Sequence, residues 1–154
     1  MGNYVWYDTN NNGSVDGGEV PIGNVVVELY HDADGNGVID PTEQTPIATT
    51  STDPMTGLYL FEDLPEGDYI VGIPSSEFGS GEPLENLYSS GTTMGATGTT
   101  SESASADPDA SASDTDDNGQ EVKAGFYTGG ILAQAATLEF TAVSYTHLTL
   151  PTKA

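Results

Sequence analysis

Apolar residues in the first half of the chain recur with a period of two, and clusters of Asn, Asp and Gly separate the runs. Residues 25–30 set Val25, Val27 and Leu29 against Val26, Glu28 and Tyr30, the pattern of a strand with one buried face. Residues 3–7, aromatic and β-branched, predict an earlier strand, and residues 46–51 a short later one. Asp53-Pro54-Met55-Thr56-Gly57 then reads as a turn, residues 58–61 as a strand, Leu64-Pro65-Glu66-Gly67 as a second turn and residues 68–73 as a strand, which together predict a hairpin. Tyr59 and Phe61 share one face of the first arm, and Tyr69, Val71 and Ile73 share one face of the second. Aromatic residues at strand period belong to a core rather than to a ligand platform. Residues 86–89 and 122–127 predict two more short strands, so the chain reads as all-β.

The polar clusters are ordered too. A loop that builds an oxygen cage for calcium places side-chain ligands at positions 1, 3, 5, 9 and 12, a backbone carbonyl at 7 and Gly at 6 for the turn. Residues 8–19 put Asp8, Asn10, Asn12, Asp16 and Glu19 at the side-chain positions, the Ser14 carbonyl at 7 and Gly13 at 6. Residues 32–43 repeat the arrangement with Asp32, Asp34, Asn36, Asp40 and Glu43, the Val38 carbonyl and Gly37. Polar turns between strands would explain these residue types, but not the register shared by two copies. A helix–loop–helix calcium hand, or a paired-loop dockerin, needs a helix leaving Glu19. Pro21, Gly23 and three successive valines argue against one, so the calcium motif is set into a β scaffold.

Charge strengthens that reading. Asp and Glu number 24 against two Lys and Arg, for a formal net charge of −22. Such a surface lacks the basic patch that nucleic acid or an anionic membrane requires, and it points to a cation as the small partner. No cysteine is present, which excludes disulfides and thiolate metal sites. Nothing resembles a membrane span or a signal peptide, and Trp6 stands where a myristoylation site needs Ser or Thr. The start therefore reads as an internal fragment or an expression boundary. Loops of this type bind at micromolar to millimolar levels, and the weaker end is useful only outside cells, so an exported protein is expected.

From residue 74 to about residue 121 the composition shifts to Ser, Gly, Thr, Ala and Asp, which predicts a long acidic low-complexity loop. Within it, Asp114, Asp116, Asn118 and Gly119 match positions 1, 3, 5 and 6 of the calcium pattern, but Val122 occupies position 9. An irregular third calcium site and a solvated acidic turn both remain open there.

Several stretches together resemble the B-type repeat domains of serine-aspartate-repeat surface adhesins (SdrD B-like), within the collagen-adhesin B-type group. They are Gly2-Asn3-Tyr4-Val5-Trp6-Tyr7-Asp8, Gly23-Asn24-Val25-Val26-Val27-Glu28-Leu29-Tyr30, Thr56-Gly57-Leu58-Tyr59-Leu60-Phe61 with Leu64-Pro65-Glu66-Gly67-Asp68-Tyr69, Asp116-Asp117-Asn118-Gly119, and Gly125-Phe126-Tyr127. The resemblance implies a prealbumin/Ig-like antiparallel β-sandwich that binds calcium, repeats in tandem and serves as a stalk or spacer in a bacterial surface protein. Related domains often carry a Lys to Asn isopeptide cross-link with the lysine on the first strand. This first strand has none, and Lys123 precedes only the tail lysine, so no such bond is expected and calcium is left as the main staple. The expected domain spans residues 1–128, followed by a linker or the start of another module at 129–142. Residues 143–154 resemble a translated sequencing adapter, which would empty His147 and Lys153 of meaning.

Three functions compete. The first is a calcium-stabilised extracellular spacer whose partners are calcium ions and neighbouring tandem domains of the same chain. The second is a binding module that recognises a host or matrix protein or a glycan through its loops, since long loops on rigid scaffolds often bind. An enzyme is disfavoured: apart from the tail, His31 is the single histidine, there is no Gly-rich phosphate loop, and the acids fall in calcium register. His31 reads as a strand-end surface residue. Asn12-Gly13-Ser14 matches a glycosylation acceptor, but Asn12 is better used as a calcium ligand.

Overall fold

The computed structural model describes residues 1–97, 100–102 and 119–140. Its strands are β1 (Trp6–Tyr7), β2 (Val20–Pro21), β3 (Val26–Asp32), β4 (Ala48–Ser51), β5 (Gly67–Ile73), β6 (Thr92–Met94), β7 (Thr100–Glu102), β8 (Gly119–Glu121), β9 (Ile131–Ala133) and β10 (Ala136–Leu138). The largest sheet runs β4-β3-β5-β9-β8, with β10 also on β5, and every pairing is antiparallel. The chain is an antiparallel β-sandwich, as its alternation predicts.

The opposing layer forms around the first residues. Val5 donates its N–H to the Gly57 carbonyl at 2.9 Å and accepts the Ile22 N–H at 2.8 Å, while Tyr59 and Phe61 donate to the carbonyls of Asn3 and Met1. Gly57 adopts φ 67°, and a Cβ there would lie 2.4 Å from the Val5 carbonyl, so this crossing of two backbones admits glycine alone. Residues 58–61 therefore belong to the layer facing β5. The sequence-based expectation of a hairpin between them and residues 68–73 is corrected, because Leu64, Pro65 and Glu66 carry the chain from one layer to the other. The inward faces are as expected: Phe61 meets Tyr69, Val27 and Leu29 in one buried cluster, with Tyr59, Val71 and Ile73 packed against it. Val25, Val27 and Leu29 are fully buried, each contributing about 1.5–3 kcal/mol.

Four other expectations change. Residues 86–89 form no strand. Residues 122–127 turn rather than extend, with Gly125 and Tyr127 at positive φ, and they lie in the segment 122–130 that joins β8 to β9. Residues 131–138, expected as linker or a following module, contribute β9 and β10 to the central sheet, both on the same edge of β5. The region expected as one long loop holds a 3-10 turn at Ser75–Phe78, the β6–β7 hairpin and β8. Its glutamate Glu77 is buried and accepts the Val26 N–H at 2.9 Å.

A polar clasp closes the other side of the main sheet. Glu28 accepts hydrogen bonds through Oε2 from the Tyr30 hydroxyl at 2.6 Å and the Tyr127 hydroxyl at 2.7 Å. Burial first, then the hydrogen bond and charge of Glu28, push both phenols above the ordinary tyrosine range near 10. A raised folded pKa means the clasp's contribution is fully present below pH 10 and is lost as pH rises through the folded values. An alkaline titration followed by phenolate absorbance is expected to leave Tyr30 and Tyr127 protonated until the fold opens. Ionisation of Tyr30 and Tyr127 near pH 10, with the fold intact, contradicts the clasp.

Candidate metal centre

β1 ends at Tyr7, one residue before Asp8, and β2 begins at Val20, one residue after Glu19. The register Tyr7↔Val20 thus brings the two ends of the first loop together. β3 delivers Asp32 directly as its last residue, and the chain returns through β4, paired as Leu29↔Ala48. Each predicted loop therefore closes the end of an antiparallel strand pair.

The two loops share one hydrogen-bond scheme. Asp8 accepts the N–H groups of Asn12 at 3.2 Å and Gly13 at 2.8 Å, and Asp32 accepts those of Asn36 at 3.1 Å and Gly37 at 2.7 Å. Asn10 and Asp34, at the third position, accept the N–H of Asn12 and Asn36 respectively. Asn12 accepts the Ser14 N–H at 2.8 Å and donates to Asp16 at 2.8 Å, while Asn36 accepts the Val38 N–H at 2.7 Å and donates to Asp40 at 2.9 Å. The closing glutamate folds back in both: Glu19 accepts the N–H of Thr9 and Asp16, and Glu43 those of Ala33 and Asp40. Gly13 and Gly37 adopt φ 76° and 78°, the left-handed conformation that the sixth position demands.

This geometry gathers carboxylates. Asp32, Asp34 and Glu43 each offer an oxygen within 4.8 Å of the others, and among the described residues they are the one acidic group so gathered. Unit charges at that spacing repel by about 1 kcal/mol per pair in water, and more where Asp32 is buried, so a cation among them relieves strain as well as coordinating. The donors are all oxygens, which fits a hard divalent ion and not a thiophilic one. The first loop replaces one of those acids by Asn10. At Asp8, partial burial raises the pKa, but hydrogen bonds from Ser90, Gly13, Asn12 and Asn11 together outweigh it and hold the carboxyl below the usual aspartate range. Asp114, Asp116 and Asn118, the third candidate cluster, lie outside the described residues.

The sequence reading missed two features near the loops. Ser90 and Asn11 tie the first loop to a segment some eighty residues away. Between the layers, a cleft of about 370 Å³ is lined by Trp6, Val71, Ile73, Leu84, Leu87 and Ile131 among others, and the buried Trp6 Nε1 has no hydrogen-bond partner among the described residues. His31 packs against Tyr69 with ring centroids 5.4 Å apart and the planes tilted by 48°, at the strand end as the sequence predicts.

Comparison with known proteins agrees with this architecture. Residues 1–128 match the family model described as the SdrD B-like domain. Colossin-B of Dictyostelium discoideum is 41% identical over 71 residues, covering 46% of this chain and 2% of that protein. Colossin-A of the same organism is 42% identical over 79 residues, covering 51% of this chain and 1% of its own length. Serine-aspartate repeat-containing protein D of Staphylococcus aureus (strain Newman) is 41% identical over 71 residues, covering 46% of this chain and 5% of that protein. The chain thus corresponds to a small fraction of each of these large relatives.

Proposed function

This chain belongs to the SdrD B-like domain family, and from that membership we propose that it is a calcium-stabilised structural spacer of a bacterial extracellular surface protein or adhesin. The observation that carries the calcium part is the duplicated loop, in which two stretches 24 residues apart adopt one hydrogen-bond scheme around aligned oxygen donors. In each, the residues that would hold the ion are the side chains at positions 1, 3, 5, 9 and 12 with the Ser14 or Val38 carbonyl. A bound ion supplies charge neutralisation and cross-links the ends of a strand pair. The protein's part is to hold the carboxylates at the right spacing. Its partners in this reading are calcium and neighbouring tandem domains, and its role is mechanical rather than catalytic. An extracellular location suits the weaker end of the affinity range of such loops, which is useful only where calcium is plentiful. No helix among the described residues is long and apolar enough to cross a membrane.

Calorimetric titration with calcium of the chain and of separate Asp8→Ala and Asp32→Ala variants tests the reading. The first loop supplies three carboxylates and the second four. Asp32→Ala is therefore expected to remove more total affinity than Asp8→Ala. A larger loss from Asp8→Ala overturns the charge-count argument, and no uptake by the parent chain overturns the calcium reading itself. The alternative, an extracellular module that binds a protein or glycan, would then take precedence, supported by the cleft beside Trp6.

A further inference from the structure

We infer that residues 89–92 are the positioning element of the first calcium loop, so that ion occupancy there and docking of the β6–β7 hairpin are thermodynamically linked; this rests on the calcium reading above. The Ser90 hydroxyl donates to Asp8 Oδ2, the same oxygen that takes the Gly13 N–H. Asn11 clamps the neighbouring backbone at two points, accepting the Gly91 N–H at 2.8 Å and donating from Nδ2 to the Thr92 carbonyl at 3.0 Å. Thr92 is the first residue of β6, so the clamp sits at the root of the hairpin. The hairpin's other side meets the edge of the main sheet. Glu102 accepts the Glu121 N–H at 2.9 Å, and Lys123 donates to Thr100 at 3.1 Å while pairing with Glu121. The hairpin therefore bridges the first loop and β8.

Among the described residues the second loop has no counterpart to this arrangement. Its fourth position is Gly35, at φ 68° beside the 58° of Asn11, so the backbone is alike but no side chain is present to clamp anything. Among the described residues, every hydrogen bond of its ligand side chains stays within the loop. The loop with fewer carboxylates is thus the one held from outside. Fixing Asp8 and the backbone around Asn11 before an ion arrives reduces the ordering that binding would otherwise require. Linkage makes the effect reciprocal: whatever factor the docked segment adds to ion affinity, the ion adds to docking.

The test uses the whole chain carrying Asp32→Ala, so that the first loop alone reports, with calcium chloride as the probe. Calcium affinity is measured by calorimetry, and amide hydrogen exchange in Thr92–Met94 and Thr100–Glu102 is followed with and without calcium. Calcium is expected to slow exchange in both strands. Asn11→Gly, which keeps the left-handed backbone, and Ser90→Ala should each weaken binding by roughly 5- to 10-fold and abolish the calcium-dependent protection. Unchanged affinity and protection in both variants, with calcium still bound, overturns the link and leaves the calcium reading standing. No calcium uptake by the parent chain overturns both.

Discussion

Replacing Tyr69 by alanine is expected to destabilise the domain by about 3–5 kcal/mol, the range for deleting a large buried aromatic. Tyr69 is 1% exposed and lies on β5, the strand that β3, β9 and β10 all pair with. Its ring joins Val27, Leu29 and Phe61 across the two layers, and its hydroxyl donates to the Pro65 carbonyl at 2.8 Å, pinning the segment that crosses between them. Tyr69→Phe separates the two contributions. It removes only the hydrogen bond and should cost about 1 kcal/mol. Denaturant unfolding in saturating calcium reads both changes, and similar losses from the two variants would mean that the ring is not the centre of the core.

On the calcium reading, removal of the ion is expected to be the second large effect. Each site, if occupied, would add roughly 2.7 kcal/mol when free calcium is a hundred times its dissociation constant, so two sites would contribute at least as much as Tyr69. A net charge of −22 works in the same direction, because self-repulsion opposes compaction until divalent ions neutralise the gathered acids. Monovalent salt screens the general repulsion but cannot coordinate, and it should recover only part of the loss. No disulfide is available to substitute, since the sequence contains no cysteine.

Much of this arrangement is legible in the residues, and the exceptions have physical causes. Alternation in residues 25–30 identifies β3 and its buried face, because one side of that strand meets the core. The twelve-residue register identifies both loops, because the backbone at their sixth position needs glycine. Alternation alone cannot say which strands are neighbours. Phe61 and Tyr69 both point inward, which suits a hairpin and equally suits two facing layers, and the sequence contains nothing local that chooses between them. β9 and β10 read as a linker in the sequence because each is three residues long and draws its stability from β5 rather than from its own pattern. The Glu28 clasp and the Ser90 to Asp8 contact join residues 99 and 82 apart in sequence, so no spacing rule reveals them.

The central claim is that calcium is part of this fold. The most direct measurement is a thermal melt of the chain at physiological salt, in excess calcium, in excess chelator, and in magnesium as the control. The account predicts a large rise in melting temperature with calcium that magnesium does not reproduce. Identical melting in all three conditions would contradict it and reduce both loops to turns.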